Sequence, residues 1–577
     1  MANLPSSFVH GAKYLWKLPV VEDTLLYDLA STYNVSFAVM QVLLTRGFKT
    51  PAELDAYLFS SFEKDVPHAS LLKDAQKAVD RILLAIERKE KILICGDYDV
   101  DGITSSAMMM ICLLPLGAQI NFFLPHRVND GYGLSVKAIQ RAAQNNYKVV
   151  ITVDNGITAF EPALEAQRLG IDLIITDHHK PHDHVPQAYA IIDPHQADCS
   201  YPYKTLAGVG VSFKIMSLLY EKLGRTLSPK VYELLLLGTV ADVVPLTGEN
   251  RFWVRHGLQL INKVESLSLR VLKQNARVIK PELSSTDIGF FITPQINALG
   301  RLEDARQGVK FLVGTQVDEV ELVGKVLKEL NEARKLIEKS VCDDVQQVIA
   351  NTIDLATERI IIASSDKWTP GVIGLAASRI VGLHNRPVLL FHITKNNIAK
   401  GSCRSIIDFN MFEALSEHKD LLLSFGGHAL AAGLSLPADK LPELKARLEK
   451  SFASKLPLFE PRPKIALDAE ISLSDVTKKL VSDMAYLEPF GNENGKPAFY
   501  LKNVTLIDTP TLLKDAHVKC NVFADGIIKP VIFFSRPELY TLLCERKDQP
   551  LSMAVYISEN HWNGKVSVEL QGIDIAL

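Results

Sequence analysis

The feature that most constrains this chain is a series of short apolar segments that alternate with helical patterns. KILICGDY begins at Lys91, KVVITVDN runs from Lys148 to Asn155, IDLIITDH from Ile171 to His178, and YAIIDPH from Tyr189 to His195. The amphipathic pattern AQKAVDRILLAIERKE precedes the first segment at Ala75, and helical patterns lie between the first three. Short apolar runs that alternate with helices are typical of buried parallel strands. The sequence therefore predicts an α/β unit with a doubly wound parallel sheet.

Acidic residues and histidines stand where the first three of these strands end. They lie in GDYDVDG, TVDNG and TDHHKP, and a further acid lies in GTVADVVP: Asp97, Asp99, Asp101, Asp154, Asp177, His178, His179 and Asp242. The carboxyl ends of parallel strands meet at one crevice of an open sheet, and ligands bind there. We therefore expect these side chains to converge.

A convergence of this kind predicts a metal site. Five or six carboxylates around one crevice repel one another strongly unless cations hold them together. Oxygen-rich coordination with one or two imidazoles suits Mn²⁺ or Mg²⁺ better than structural zinc. There are enough ligands for two ions, and two ions about 3.5–4 Å apart are the usual device for hydrolysing phosphate esters.

Simpler interpretations exist for single members of this group. DYDVDG matches the start of a calcium-binding loop, but the twelfth position of such a loop requires glutamate and is Met108 here. One aspartate at a strand end is most often a helix cap, whereas four acidic endings in one unit favour chemistry. His182 and His184 could extend the cluster toward a zinc site, but an exposed loop is the favoured interpretation.

Composition limits the remaining possibilities. The chain has 577 residues, of which 47% are hydrophobic, and its formal net charge is −3, so it contains several globular domains and no global basic surface for a polyanion. Any contact with nucleic acid must therefore use local patches.

The longest apolar stretches fall short of the ~20 residues that span a bilayer, and the N-terminal residues lack a signal-peptide pattern. We expect a cytoplasmic protein without membrane association. The seven cysteines form no CxxC pair, which argues against a disulfide framework or a zinc knuckle.

Two further folding units are expected beyond the first. A charge-rich helical segment from about Gln316 to Ile349 precedes a second α/β unit, which contains the strands ERIIIASS and RPVLLFHI and the helix GVIGLAASRIVG. The proline-rich stretch from Pro457 to Lys464 marks a boundary. Short alternating runs beyond it predict a small β-barrel or sandwich.

The ordered set of motifs resembles a known family. GDYDVDG, TVDNG, TDHH and GTVADVVP are similar to the four motifs of the DHH phosphoesterase superfamily, and within it the chain resembles the bacterial single-strand-specific 5′→3′ exonucleases. Supporting segments are PHRVNDGYG after Leu124, LAGVGVSFK after Thr205, INALGR before Leu302, WTPGVIGLAASRI after Lys367, GSCRS after Lys400 and FGGHALAAGLSL after Ser424. They extend the similarity over roughly residues 70 to 450. The β-rich tail resembles the OB-fold domain of the same exonucleases.

The resemblance implies a multidomain α/β fold. It comprises an N-terminal extension over residues 1–70, a DHH catalytic domain with a parallel sheet over 71–260, a helical connector with a long linking helix over 261–350, a DHHA1 substrate-binding domain over 351–456, and a C-terminal OB-fold nucleic-acid-binding β-barrel over 460–577.

The resemblance also implies an activity and a cofactor. The protein would be a metal-dependent, single-strand-specific 5′→3′ DNA exonuclease that releases 5′-mononucleotides in DNA repair and recombination. Two Mn²⁺ or Mg²⁺ ions would be held by Asp97, Asp99, Asp101, Asp154, His178 and Asp242, with Asp154 as the bridge. His179 would stabilise charge at the scissile phosphate or protonate the leaving 3′ oxygen.

By the same resemblance, single-stranded DNA would meet a separate set of side chains. Ser402 and Arg404 would bind the 5′ phosphate with help from Arg127, and Arg301 and His428 would contact the scissile region. An arginine fork matches phosphate geometry with two hydrogen bonds. The resemblance implies a single-strand-binding protein and a helicase as accessory partners.

Two other functions stay open at this point. A DHH phosphatase acting on short oligonucleotides or nucleotide bisphosphates would need no strand-gripping module, so the length and the β-rich tail argue against it. A catalytically inactive DHH scaffold that only binds DNA would be expected to lose metal-binding acids, and all of them are present in this sequence.

Overall fold

The computed structural model of the protein describes residues 7–20, 23–127, 131, 133–562 and 565–577. Residues 128–130 and 132 of the PHRVNDGYG segment lie outside this part. The chain divides into two compact units, here called the catalytic unit (Ser61–Leu458 with Gly491–Asn494) and the barrel unit (Met1–Ser60, Phe459–Phe490 and Gly495–Leu577). None of the helices described is both long and apolar enough to cross a bilayer.

Strands and helices are numbered in chain order. The strands are β1 (Phe8–His10), β2 (Leu15–Lys17), β3 (Lys91–Cys95), β4 (Gln119–Phe123), β5 (Tyr147–Val153), β6 (Asp172–Thr176), β7 (Ala190–Ile192), β8 (Ile361–Ser365), β9 (Val388–Ile393), β10 (Ile398–Arg404), β11 (Ser424–Gly427), β12 (Ala431–Pro437), β13 (Lys464–Ala466), β14 (Ala469–Ile471), β15 (Phe499–Leu506), β16 (Thr511–Leu513), β17 (His517–Ala524), β18 (Ile527–Phe533), β19 (Leu551–Trp562) and β20 (Lys565–Ala576). The helices are α1 (Asp23–Tyr33), α2 (Phe37–Thr45), α3 (Pro51–Leu58), α4 (Phe62–Asp65), α5 (Ala75–Glu87), α6 (Val100–Leu113), α7 (Val136–Gln144), α8 (Phe160–Arg168), α9 (Gly208–Lys222), α10 (Pro229–Ala241), α11 (Gly248–Ile261), α12 (Leu267–Ala276), α13 (Ser285–Asp287), α14 (Thr293–Asn297), α15 (Leu299–Leu302), α16 (Arg306–Val313), α17 (Val317–Thr352), α18 (Pro370–His384), α19 (Met411–Ser416), α20 (Leu441–Lys455), α21 (Lys478–Met484) and α22 (Leu539–Glu545).

A parallel sheet forms the centre of the catalytic unit, as predicted. Its strand order is β4-β3-β5-β6-β7, and every neighbouring pair is parallel. Ile92, Ile94 and Val149 belong to one apolar core, and the alternate residues Leu93 and Val150 belong to another. Because helices cover both faces, each central strand is buried on both sides and has a continuous apolar sequence. The edge strand β4 was not predicted, since its side chains are exposed or half-buried.

The long helix α17 carries residues of two different cores. Val320 and Leu327, in its first half, pack into the core of the parallel sheet. Val341 and Val345, in its second half, pack with α18 and the strands of the second sheet. The helix spans 36 residues and confirms the predicted linking helix. It therefore connects the two sheets by contributing to both hydrophobic cores.

The second sheet of the catalytic unit has the order β11-β12-β10-β9-β8. Strands β8 and β9 are parallel, and the other neighbouring pairs are antiparallel. The predicted helix GVIGLAASRIVG is part of α18, and the glycine-rich segments GSCRS and GGHALAAG form β10 and the β11–β12 turn. This arrangement places the GSCRS arginine at the end of a strand that has neighbours on both sides.

A closed β-barrel dominates the barrel unit, as predicted. Its strand order is β14-β15-β19-β20-β18-β17-β16, and β15 also pairs with β17. The first 60 residues belong to this unit. Strand β2 pairs in parallel with β13, with Trp16 opposite Ile465, and Val39 and Leu43 of α2 share a core with Phe499 of β15. The N-terminal segment thus completes the hydrophobic core of the barrel.

A buried carboxylate joins the two ends of the barrel unit. Asp574, in β20, is fully buried. It accepts hydrogen bonds from the backbone N–H of Tyr14 (2.9 Å) and from the indole N–H of Trp16 (3.0 Å), and it pairs with Arg536 (3.2 Å). Glu538 pairs with the same arginine, but its side chain is 58% exposed.

We predict that Asp574→Ala destabilises the barrel unit by about 3 kcal/mol, because it leaves buried donors and a buried guanidinium without their acceptor. Glu538→Ala removes a solvent-exposed partner of the same arginine and should cost less than about 1 kcal/mol. Hydrogen exchange of the β20 amides, followed by mass spectrometry in the full-length protein, measures both changes. Equal protection in the two variants would contradict the prediction.

Candidate metal centre and active site

Three of the predicted carboxylates lie in the turn between β3 and α6. Asp99 caps α6, and its Oδ1 accepts the backbone N–H groups of Asp101 (3.0 Å) and Gly102 (3.2 Å). A Cβ on Gly102 would lie 2.5 Å from the backbone nitrogen of Asp97, so only glycine allows the helix to begin so close to the strand end. The GDYDVDG turn therefore carries three carboxylates on five consecutive residues, between the end of β3 and the start of α6.

The N-terminus of α9 holds the Asp101 carboxylate. The backbone N–H of Gly208 donates to its Oδ2 (2.6 Å) and that of Val209 donates to its Oδ1 (2.7 Å). Burial and the neighbouring charge of Asp99 raise the pKa of Asp101 to about 7, although these two amides oppose the rise. A Cβ on Gly208 would lie 2.6 Å from the Cβ of Asp154. Gly208, the first glycine of LAGVGVSFK, thus allows the start of α9 to approach the carboxylates.

His178 lies among three carboxylates. Its Nε2 is 3.1 Å from Oδ1 of Asp154, 3.8 Å from Oδ2 of Asp101 and 3.7 Å from Oδ2 of Asp242. Burial and the charge of His179 lower the pKa of His178 to about 3, so its ring is neutral, which is the form that binds metals. Asp154 has a φ of +61°, a left-handed conformation that costs most residues free energy but that aspartate tolerates better than most.

Asp177 orients the second histidine of the motif. Its Oδ1 accepts from Nδ1 of His179 (2.7 Å) and its Oδ2 accepts the backbone N–H of Ile157 (2.9 Å). Burial favours neutral imidazole, but the hydrogen bond and charge of Asp177 outweigh it and raise the pKa of His179 to about 9. His179 is therefore a cation at the edge of the carboxylate cluster.

The six predicted metal ligands come together, and their chemistry fits divalent cations. Three sets of side chains have ligand atoms within 4.8 Å of one another: Asp97, Asp99 and Asp154; Asp101, His178 and Asp242; and Asp154, His178 and His179. Burial raises the pKa of Asp97, Asp154 and Asp242 well above the usual range, and neighbouring carboxylates raise it further. Within the described part of the chain, the buried Oδ1 of Asp97 has no hydrogen-bond partner. Bound cations would satisfy this oxygen and offset the repulsion.

A group of arginines belongs to the same unit. Arg127 donates to the carbonyl of Gly300 (3.0 Å) and lies 4.2 Å from the ring centroid of Tyr98. Arg301 donates to the carbonyl of Gly371 (3.0 Å).

Arg404 donates to the Ser402 hydroxyl (3.2 Å) and to the carbonyl of Cys403 (2.8 Å). Burial, followed by the charges of Arg127 and other arginines, lowers the pKa of Arg301 to about 10, and burial with the charge of Arg127 lowers the pKa of Arg404. Neutral oxygens hold these guanidinium groups, so their positive charge stays available for an anion.

Glycines allow the elements around these arginines to approach closely. A Cβ on Gly300 would lie 2.0 Å from the carbonyl oxygen of Tyr98, and one on Gly374 would lie 2.8 Å from the Ser402 hydroxyl. His428 precedes β12 and is exposed to solvent, and partial desolvation together with the charges of His179 and Lys180 lowers its pKa. The second sheet therefore brings His428 near the DHH motif.

The histidines at 182 and 184 are exposed, in agreement with the favoured interpretation. They pack against the ring of Phe160, with centroid distances of 6.0 and 4.6 Å. They belong to none of the candidate metal-binding sets found among the described residues.

One polar pair near the site was missed by the sequence analysis. Asp193 is fully buried at the end of β7, accepts the backbone N–H of His195 (2.7 Å), and has a pKa raised by burial and by the charge of Asp177. Asp193 directly follows a parallel strand, as Asp154 does, so its position at a strand end predicts a place near the crevice equally well. No side-chain signal could have identified the amides of Gly208 and Val209.

Comparison with known proteins identifies three domains. The chain matches the DHH family N-terminal domain over residues 91–239, the DHHA1 domain over 355–454 and the RecJ OB domain over 467–574. It is 34% identical over 570 residues to the single-stranded-DNA-specific exonuclease RecJ of Bacillus subtilis, covering 98% of this chain and 71% of that protein. It is 34% identical over 452 residues to the RecJ of Escherichia coli, covering 74% of this chain and 78% of that protein.

Solved structures agree with these matches. The structure is similar to the crystal structure of RecJ from Thermus thermophilus in complex with Mn²⁺, with a TM-score of 0.82, 27% sequence identity, and coverage of 97% of this chain and 79% of that chain. It is also similar to a crystal structure of the exonuclease RecJ bound to manganese, with a TM-score of 0.58, 31% identity, and coverage of 68% of this chain and 96% of that chain.

We predict that Asp154→Asn has opposite effects with and without metal. Asp154 belongs to two of the three candidate sets. Loss of a residue that only positions a metal ligand weakens metal binding by about 10- to 100-fold, so loss of Asp154 itself should weaken Mn²⁺ binding by more than about 100-fold. Its pKa is raised in the folded chain, so removing its charge should stabilise the metal-free protein by on the order of 1 kcal/mol at pH 7. Calorimetric Mn²⁺ titration and thermal unfolding in EDTA measure the two effects. The exposed loop variant Asp183→Asn should change neither.

Proposed function

The chain belongs to the RecJ family of single-stranded-DNA-specific exonucleases, and from this premise we propose that it is a metal-dependent exonuclease that degrades single-stranded DNA from the 5′ end. The observation that carries the proposal is the convergence of five carboxylates and one imidazole, which together could hold metal ions, in one crevice of the catalytic unit. The presence of the whole set disfavours an inactive scaffold. The products would be 5′-mononucleotides, and the activity would serve DNA repair and recombination.

We propose that two Mn²⁺ or Mg²⁺ ions occupy this crevice. Asp97 and Asp99 would hold one ion, Asp101, His178 and Asp242 would hold the other, and Asp154 would contact both. When bound, the ions supply an activated water nucleophile and neutralise charge on the non-bridging phosphate oxygens. The chain's own contribution is to hold the carboxylates at fixed positions through the amides of α6 and α9, and to keep His178 neutral.

His179 would act on the leaving group. Its Nδ1 is bound to Asp177, so Nε2 is the nitrogen that can donate to a scissile phosphate or to the leaving 3′ oxygen. Asp177 is in turn fixed by the Ile157 amide, so the ring has one preferred orientation. His428 would contact the same region from the second sheet.

The arginine group would bind phosphates of the strand. Arg404 and Ser402, with Arg127, would bind the 5′ phosphate, and Arg301 would contact the scissile region. These three guanidinium groups are half-buried, and a guanidinium that donates to neutral oxygens keeps its charge and its remaining donors for a phosphate. A terminal phosphate held at a fixed place relative to the metal ions would restrict cleavage to the end of the strand.

The barrel would grip the strand mainly by stacking. Among the aromatic residues of the C-terminal segment, Phe499 and Phe533 are fully buried, whereas Phe523 is 38% and Phe534 is 49% exposed. Acidic residues outnumber basic ones in residues 460–577, so electrostatic attraction by the barrel as a whole would be weak. Exposed aromatic rings bind bases with little sequence preference.

We propose the cytoplasm as the compartment, and a single-strand-binding protein and a helicase as accessory partners.

Strand polarity and metal dependence can be tested together. We expect the wild-type protein with Mn²⁺ to release labelled mononucleotide at once from 5′-labelled single strands and only late from 3′-labelled ones. Asp154→Asn should be inactive in both assays, and EDTA should abolish the wild-type activity. Early release of label from the 3′ end, or persistent nuclease activity in Asp154→Asn, would contradict the proposed function.

The terminus pocket makes a separate prediction. Arg404→Ala should raise the KM for 5′-phosphorylated strands by about 10- to 100-fold, since a hydrogen bond to a charged group contributes about 1.5–3 kcal/mol. The KM for 5′-hydroxyl strands should change much less. Arg447→Ala, at a surface ion pair with Asp420, is the matched control and should change neither value. Equal losses on the two substrates would remove Arg404 from the 5′-phosphate pocket.

A further inference from the structure

Asp242 lies at an unusual point of the backbone. It ends helix α10, where its N–H donates to the carbonyl of Gly238 (2.9 Å), and the next residue, Val243, has a φ of +60°. A left-handed conformation is unfavourable for a β-branched residue. The Val243 side chain is 64% exposed, so its packing does little to offset this cost. Backbone contacts must therefore hold the segment that follows Asp242.

The side of Asp242 toward α10 is fixed by close helix packing. A Cβ on Gly238 would lie 2.4 Å from the hydroxyl of Thr104, so α10 lies tightly against α6, the helix that carries Asp101. Residues 245–247, further along the chain, are also held. The Asn250 side chain donates to the carbonyl of Pro245 (3.1 Å), and the Tyr203 hydroxyl donates to the carbonyl of Thr247 (2.9 Å). Neither contact reaches Val243.

The N–H of Val243 donates to the carbonyl of Val240 over a long 3.4 Å, and a four-residue turn from a distant part of the sequence contacts the carbonyl of Val243. The side-chain amide of Asn492 donates to the carbonyl of Val243 (2.8 Å), and the backbone carbonyl of Asn492 accepts the N–H of Leu246 (2.8 Å). Asn492 thus binds both ends of the segment 243–246: its side chain donates to the first residue and its carbonyl accepts from the last. A Cβ on Gly491 would lie 2.5 Å from Cδ1 of the buried Leu246, so any other residue would displace the Leu246 side chain.

The turn is a discrete part of the catalytic unit. Gly491 and Asn494 exchange backbone hydrogen bonds of 2.9 and 3.2 Å. Residues 491–494 belong to the catalytic unit, while the chain before and after them belongs to the barrel unit. These four residues therefore make their contacts as an isolated insertion, and those contacts lie next to a predicted metal ligand.

We propose that Asn492 is a positioning residue for the metal site, which acts by holding Val243 in its left-handed conformation and so fixing the Asp242 carboxylate beside His178. The inference rests on the proposed metal-dependent function. Without the Asn492 amide, Val243 would relax toward negative φ and the Asp242 carboxylate would turn away from its place 3.7 Å from His178. Groups that orient metal ligands typically change metal affinity by about 10- to 100-fold.

The test measures Mn²⁺ binding directly in the full-length protein, by electron paramagnetic resonance of free Mn²⁺ and without DNA. We expect Asn492→Ala to weaken one of two Mn²⁺ sites by about 10-fold and to leave the other unchanged. Nuclease activity should approach the wild-type value at saturating Mn²⁺, with the half-activating concentration raised by the same factor. Asn492→Asp, which keeps the shape but loses the donor, should behave similarly. Glu493→Gln, the exposed neighbour in the same turn, should bind Mn²⁺ like the wild type.

A rescue variant separates positioning from a general structural role. Asparagine tolerates the left-handed conformation far better than valine. Adding Val243→Asn to Asn492→Ala should therefore recover most of the Mn²⁺ affinity. Unchanged Mn²⁺ binding in Asn492→Ala would overturn the inference. Equal weakening of both sites, with a lower unfolding temperature in EDTA and no rescue, would also overturn it. A wild-type protein that binds two Mn²⁺ ions without nuclease activity would refute the proposed function and leave this inference standing.

Discussion

Burial of like charges is the constraint on which the rest of the catalytic unit depends. Five carboxylates belong to overlapping sets of close ligand atoms in one crevice, and burial disfavours the ionised forms of four of them, Asp97, Asp101, Asp154 and Asp242. The fold compensates part of this cost with backbone amides at the starts of α6 and α9 and with the ring of His178. Divalent cations would compensate the rest, so metal binding and the stability of this region are coupled.

Close backbone approach is the second requirement of the site. Helix α9 can reach Asp154 only through Gly208, and α15 can reach Tyr98 only through Gly300. The glycines of the motifs therefore serve packing between elements as well as local turns. The same holds for Gly491, which allows a short turn to support the segment after Asp242.

The charge distribution within the catalytic unit fits a polyanionic substrate better than the net charge of −3 suggests. The acidic crevice would be neutralised by cations, while Arg127, Arg301 and Arg404 are held by carbonyl and hydroxyl oxygens and keep their charge. A phosphate bound between them would meet positive groups from both the metal site and the arginine group. Local arrangement, more than total charge, determines the attraction for DNA.

The sequence by itself determined the central strands, the long helix and the acidic residues at the strand ends, because apolar periodicity and residue types at strand ends are local properties of the chain. The barrel and the set of six metal-binding side chains were implied by the resemblance to the DHH superfamily, and the metal-binding role of those six stays a prediction. It could not determine that β4 forms an edge strand, since its side chains are only partly buried. Nor could it assign the first 60 residues to the barrel or connect Asn492 with Val243, which lies 249 positions away. These relations depend on contacts between distant segments, which leave no periodic pattern in either segment. Only the tertiary structure decided them, because the free energy of such contacts is gained when the two segments pack together.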